Sequence, residues 1–295
     1  VAATQYDKTT TFYSQWGPYV DIAAPGGNTR EDQNGDGRPD GVLQETLKNQ
    51  DPGDHDFVHF MGTSMASPHV AAGAALIMSQ GITNPDQVES ILQSTADESQ
   101  RDRFDKEKEF SERYGAGIMD ASAAAAAAVN STGGIRLAGG LALLLLAIVG
   151  VRRRSSFNAD IQVTPGLVGT TVMTASGLFM LPSLLGDWFT GTALSALARP
   201  FAEWDLLLFG VDQIPLMASA LIPLAAIAFL AGHRRARLAA SGLGLGMAAF
   251  CLTEAFVMTS DVLWIPGMAG WLDSAWLLAN GLFSFAIGYL GLKSR

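Results

Sequence analysis

Apolar residues follow two different patterns along the chain. Beyond residue 132 they run almost unbroken, in five stretches at about 133–151, 163–186, 214–232, 238–259 and 274–292. A hydrocarbon core about 30 Å thick needs roughly 20 apolar residues at a rise of about 1.5 Å each, so each stretch predicts a membrane-crossing helix. The first is a little short and carries Arg136 near its start, where a long side chain would snorkel to the interface. Before residue 132 the apolar positions are briefer and broken by polar ones. Around "FMGTSMASPHVAAGAALI" (60–77) they predict a helix with Val70, Ala74, Leu76 and Ile77 on its apolar face. Thr63 or Ser64 would cap it, Pro68 falls near the first turn, and the small residues predict a central, buried helix. A second helix is expected over 83–96, with Thr83 as cap and Pro85 in the first turn. The alanine run 121–128 predicts a third, and "NSTGG" at 130–134 reads as a short linker. Residues 1–131 and 132–295 are therefore expected to be two domains, one soluble and one made of five spans.

Charge sharpens this division. Residues 1–131 hold 9 Lys+Arg against 20 Asp+Glu, a net of −11, while 132–295 hold 10 against 8, a net of +2. An acidic first half disfavours a nucleic-acid partner and suits a cation-binding one. Basic residues follow the first, third and fifth stretches: Arg152, Arg153 and Arg154, then Arg234, Arg235 and Arg237, then Lys293 and Arg295. Arg136 and Arg199 lie on the other side. The positive-inside bias places the C-terminus in the cytoplasm and residues 1–131 outside it, with Trp188, Trp204, Trp264 and Trp271 at the outer ends. Glu254 and Asp212 are the ionisable residues nearest span interiors, and the expectation is that both reach headgroups or water at the outer interface. Cys251, the single cysteine, excludes an internal disulfide and reads as a small buried hydrophobe. The chain starts at Val1 with no initiator Met or signal-peptide pattern, so a processed chain or a fragment is expected.

Ser64 is where chemistry concentrates. A serine at a helix mouth lies beside unpaired N–H groups and the positive dipole end, which favour developing negative charge. An oxyanion in acyl transfer needs that setting. "GTSMASPHVAAGAAL" resembles the active-serine signature of the subtilisin-like serine proteases (subtilases), almost letter for letter. The flanking "VAATQYDKTTTFYSQWGPYVDIAAPGG", "TNPDQVESILQSTA" and "YGAGIMDASAAAAAA" agree in order and spacing. The resemblance covers about residues 1–129. It implies an α/β fold, a parallel sheet with helices on both faces, and Ser64 as the nucleophile. A transmembrane all-α region follows.

A serine hydroxyl needs a base, and the base needs an orienting group. The subtilase order is Asp, His, Ser. Nothing before Ser64 resembles the Asp or His motifs of the family. His69 belongs to the signature, in a structural role, while His55 and His59 lie in an acidic loop just upstream. The expectation is the C-terminal part of a longer protease, with the triad Asp and His upstream of this chain and the chain alone inactive.

"DQNGDGRPDG" at 32–41 sets Asp32, Asn34, Asp36 and Asp40 at alternating positions, and Arg38 would offer its carbonyl. Such oxygens around a sharp glycine turn suit a structural Ca²⁺ ion. Leu43 stands where an EF-hand has its bidentate Glu, and a solvated acidic turn is the plainer alternative. The run at 97–115 reads as a solvated charged loop. Three functions compete: a membrane-anchored extracytoplasmic serine endopeptidase acting on peptides or proteins, suited to a bacterial envelope; an inactive relative serving as a binding module on a membrane anchor; and a multi-span transporter or signalling protein. The last needs a polar path through the spans, and few polar residues are available for one.

Overall fold

The computed structural model of the chain describes residues 1–48, 53–100, 111–154, 162–185, 193–210, 216–258, 262, 264–267 and 270–293. Two compact units form, Val1–Ala128 and Val129–Arg295.

In the first unit, β1 (Ala2–Thr4) pairs in parallel with β2 (Ala23–Pro25), Ala3 facing Ala24 in the register. Helix α1 (Thr63–Met78) packs on both strands. Ala3, Ala24 and Ala66 make that contact, and side chains this small let backbone approach backbone. Ile118 extends the pair by single bridges to Ala23 and Asp97. A larger core gathers Ile22, Ile77, Ile82, Val88, Leu92 and the alanines Ala124 and Ala128. Among the described residues the parallel sheet is these two short strands, a smaller piece of α/β architecture than a full sheet covered on both faces. Separate from it, β3 (Val42–Leu47) and β4 (His55–Phe60) form an antiparallel hairpin that leaves Leu43, Leu47 and Phe57 exposed.

Three local expectations are corrected. Helix α1 is buried along one face only: Ala66, Gly73 and Ile77 face inward at spacings of seven and four, while Leu76, one position off that stripe, is 46% exposed. Helix α2 (Pro85–Ser94) is capped by Asn84, whose Oδ1 accepts from Gln87 N–H at 3.1 Å, and not by Thr83. Asn is at least as good a cap as Thr, and Pro85 then takes N1, where its missing N–H costs nothing. The "NSTGG" segment is no linker, because helix α3 runs unbroken over Ala121–Arg154. Thr132 Oγ1 donates back to Val129 O at 3.2 Å, and Gly133 sits flush against the Phe179 ring.

The second unit is built around α8 (Arg234–Thr253), which packs against α4 (Pro165–Ala175), α7 (Leu221–Leu230) and α9 (Trp271–Lys293). Short turns lie between α4 and α7: α5 (Leu181–Leu185), 3₁₀ turns at Ala193–Ala198 and Phe201–Glu203, and α6 (Trp204–Phe209). Small residues set the spacing. A Cβ on Gly244 would come within 2.9 Å of Gly288 Cα, so α8 and α9 touch through their backbones. Thr170 Oγ1 on α4 donates to Ala239 O on α8 at 2.7 Å, an interhelical bond of the kind that holds helices together in apolar surroundings. Among the described residues three helices are long and apolar enough to cross a membrane: Ala121–Arg153, Arg234–Met258 and Trp271–Lys293. In the stretches 163–186 and 214–232 the described helices are shorter, at 11 and 10 residues. Asp212, Trp188 and residues 101–110 of the charged run lie outside the described residues.

The outer-interface expectation fails for Glu254. Glu254 is 4% exposed and Arg136 9%. Arg136 Nε donates to Glu254 Oε1 at 2.7 Å, Nη1 reaches Glu203 Oε1 at 2.9 Å, and Cζ lies 4.9 Å from the Phe250 ring centroid. Arg136 does not snorkel, since two carboxylates and an aromatic face already surround it.

Two predictions follow from this packing. Gly244→Ile is expected to destabilise the second unit by about 1–3 kcal/mol, because a branched side chain forces α8 from α9; thermal unfolding in detergent would measure it, and an unchanged midpoint would deny the contact. In the first unit, Lys8 Nζ donates to Asp97 Oδ2 at 2.7 Å. That bond first, and those to Ser99 next, hold the Asp97 carboxyl at about 2, well below the usual 3.8. A depressed carboxylate stabilises above its unfolded value and loses that contribution as pH falls through its folded one. Asp97→Asn should therefore flatten the decline in stability between pH 3.8 and about 2, as read by urea unfolding across that window.

Candidate active site

The approach to α1 is built from glycines. Gly62 adopts φ 154° and ψ 161°, a conformation open in practice to glycine alone, and its N–H donates to Gly26 O at 3.0 Å. A Cβ on Gly26 would come within 2.9 Å of Gly62 O and of the Tyr13 hydroxyl. Tyr13 braces the turn by donating to Gly27 O at 2.6 Å, and burial pushes its phenol pKa upward. The sharp turn at Gly62 brings the chain from the hairpin into the first turn of α1, with Ser64 as its second residue.

The N-cap of α1 is Gly62, with no side-chain capping bond. Neither Thr63 nor Ser64 caps the helix, a correction to the sequence expectation. Both hydroxyls lie inside the helix start, past the position from which a side chain folds back onto N2 or N3. Ser64 is exposed, and its Oγ makes only a weak contact with Met65 Sδ at 3.9 Å. Met65 and Ala66 N–H both turn to Gly62 O, at 3.0 and 3.3 Å. Among the described residues the N–H groups of Thr63 and Ser64 find no acceptor. An uncommitted hydroxyl thus stands beside free amides at the positive end of a helix, the electrostatic environment that stabilises an oxyanion.

None of the nearby histidines is bonded to Ser64. His69 Nδ1 lies 2.7 Å from Met65 O, His59 Nδ1 lies 3.3 Å from Gly41 O, and His55 Nδ1 pairs with Glu45 Oε1 at 2.9 Å. His69 is held by its own helix, His55 by Glu45 on the paired strand β3, and His59 by Gly41 just before that strand. A cavity of about 550 Å³ in this unit, lined by Lys8, Asp36, Asp40, His59, Asp97 and Asp120 among others, does not include Ser64.

The acidic loop is organised by its own backbone. Asp32 Oδ1 accepts from Gly35 and Asp36 N–H at 2.8 and 3.2 Å, and Oδ2 from Gly37 N–H at 2.9 Å. Asn34 Oδ1 accepts from Asp36 N–H, Asp36 Oδ1 from Arg38 N–H, and Asp40 Oδ2 from Gln33 N–H. These side-chain oxygens accept the amides of tight turns. Among the described residues no group of three or more His, Cys, Asp or Glu is placed to hold a metal ion.

Comparison with known proteins assigns the two parts separately. Residues 1–117 match the subtilase family, and residues 132–295, more than half of the chain, match a domain of unknown function, DUF5942. The chain belongs to the DUF5942 family. Its first unit is subtilase-related. An extracellular protease of Xanthomonas campestris pv. campestris is 34% identical over 134 residues, 44% of this chain and 20% of that protein. A thermophilic serine proteinase of Bacillus sp. (strain AK1) is 34% identical over 96 residues, 32% of this chain and 19% of that protein. The chain spans about a fifth of the length of these curated relatives. No solved structure matches it.

The acidic loop of this DUF5942 protein gives a direct test. Asp32→Ala strips the Gly35 and Gly37 amides of their acceptor, while Asp36 N–H keeps Asn34 Oδ1, and should cost about 1 kcal/mol, at roughly 0.5–1.5 per hydrogen bond with much of it recovered by water. The loss should be the same with calcium and with chelator in thermal unfolding. A loss confined to calcium buffer would show that an ion organises the loop.

Proposed function

We propose that this chain is part of a membrane-anchored serine endopeptidase in which Ser64 attacks the peptide carbonyl. The observation that carries the reading is the Ser64 hydroxyl itself: exposed, not used for capping, and set in the first turn of α1 beside the free N–H groups of Thr63 and Ser64. Oγ would add to the carbonyl carbon, those amides would receive the developing oxyanion, and water would hydrolyse the acyl-enzyme. The proton acceptor and its orienting carboxylate are a His and an Asp from sequence outside these 295 residues. His55, His59 and His69 are engaged elsewhere, and the subtilase relatives extend far beyond the matched part.

Peptides or proteins are the substrates in this reading, in keeping with the protease relatives. The three long apolar helices supply the anchor. The basic clusters after the first, third and fifth apolar stretches favour a protease unit outside the cytoplasm.

A second reading, a subtilase-related unit without activity that serves as a binding module, draws support from the absence of any histidine bonded to Ser64 among the described residues. Reaction of the full-length protein with a serine-directed fluorophosphonate separates the two. Labelling is expected, together with its complete loss in Ser64→Ala. A folded full-length protein that stays unlabelled would establish the inactive relative, and labelling that survives in Ser64→Ala would place the nucleophile elsewhere.

A further inference from the structure

We propose that the cavity of about 550 Å³ in the first unit binds a primary ammonium group carried on an aliphatic stem. A concave site of this size suits a small molecule or a side chain, with apolar walls and a few charged groups that fix orientation. Pro25, Val42, Ile118 and Met119 supply the walls. Asp36, Asp40, Asp97 and Asp120 supply the charge, from three separate stretches of chain. Asp36 and Asp120 are exposed and the other two half-buried, so a ligand arriving from solvent reaches them.

Lys8 shows what the cavity accepts. It is the one lysine or arginine in the lining, and its Nζ donates to Asp97 Oδ2 at 2.7 Å. The nearby charge of Asp120 also favours the ammonium form of Lys8. One ammonium therefore faces four carboxylates. The hydrogen bonds that the other three accept come from neutral groups. Asp36 Oδ1 accepts from Arg38 N–H at 2.8 Å and Oδ2 from Asn34 Nδ2 at 3.4 Å, while Asp40 Oδ2 accepts from Gln33 N–H. Asp120 Oδ1 accepts from Ala123 N–H at 2.8 Å, at the start of α3. Arg30 lies over the Phe12 ring and Arg113 near the Trp16 ring, and neither lines the cavity.

The carboxylates surround a space and not a point. Among the described residues no three of His, Cys, Asp or Glu are placed to hold one metal ion. A flexible chain with ammonium groups meets such carboxylates one at a time, and its methylenes lie against the apolar walls, as the stem of a lysine does. The net charge of −11 over residues 1–131 draws a cation of this kind toward the unit. Lys8 itself adopts φ 67°, the one positive value outside glycine among the described residues. Backbone strain of this sort collects at ligand clamps. Ser64 does not line the cavity, so the site is independent of the nucleophile assignment.

Calorimetric titration of the full chain in phosphatidylcholine nanodiscs at fixed ionic strength tests this, with spermidine and, separately, a Lys-Gly-Lys peptide blocked at both ends. Saturable binding of about one spermidine per chain is expected. Asp40→Asn and Asp120→Asn should each weaken it about three- to five-fold, the usual size for a solvent-accessible charge pair. Both asparagines keep an oxygen for the amide that the carboxylate accepts. Asp86→Asn, on α2 and outside the lining, should leave binding unchanged. Binding of the peptide as well would identify a lysine side chain as the natural group, and binding of spermidine alone a free polyamine. Absence of saturable binding of either probe by the wild type, which needs no variant to fold, would overturn the proposal. So would unchanged affinity in both cavity variants, or an equal loss in Asp86→Asn, which would show only a general attraction to an acidic surface.

Discussion

The close approach of Gly62 to Gly26 is the constraint on which the candidate active site depends. Gly62 N–H reaches Gly26 O at 3.0 Å, and a Cβ on Gly26 would stand within 2.9 Å of Gly62 O, so the absence of a side chain there lets the two backbones approach. That bond fixes the chain as it enters α1, and the backbone of Gly62 then takes over the N-cap position. With glycine at the cap, the hydroxyls that follow have no structural task. Ser64 is left exposed at the positive end of the helix, where its hydroxyl and the neighbouring amides face the same space.

In the second unit the governing term is polarity without water. Backbone groups are satisfied within helices, and helices approach closely where Gly244 meets Gly288 and where Thr170 bonds Ala239 O. Arg136 is one of several ionisable residues buried there, a guanidinium placed in the interior. Breaking such a pair is far more costly than the pair is stabilising, because the remaining partner is stranded. The ring of Phe250 beneath the guanidinium adds a favourable quadrupole contact at no further polar cost.

How legible these features were depends on how local they are. The serine motif, the helix over 85–94 and the long apolar stretches of 133–151, 238–259 and 274–292 depend on near neighbours, and the corresponding helices are present. The cap of α1 depends on the φ of Gly62, set by a bond to a residue 36 positions earlier, and no spacing rule contains it. The "NSTGG" segment has the composition of a linker, yet helix on either side and a close-packed Phe179 carry it through as helix. Glu254 looked like an interfacial carboxylate because its partner lies 118 residues away. The subtilase signature pointed to Ser64, while its proton acceptor could not be read from residues that the fold holds elsewhere.

Helix α3 carries a practical consequence for dissecting the protein. Ala124 and Ala128 are wholly buried in the core of the first unit, yet they belong to the same continuous rod that becomes the apolar stretch beyond residue 133. A water-soluble fragment trimmed just before this rod, at residue 120, would lose two stones from its foundation and expose Ile77 and Leu92 beneath. One that stops shortly after Ala128 keeps them and sheds the greasy part.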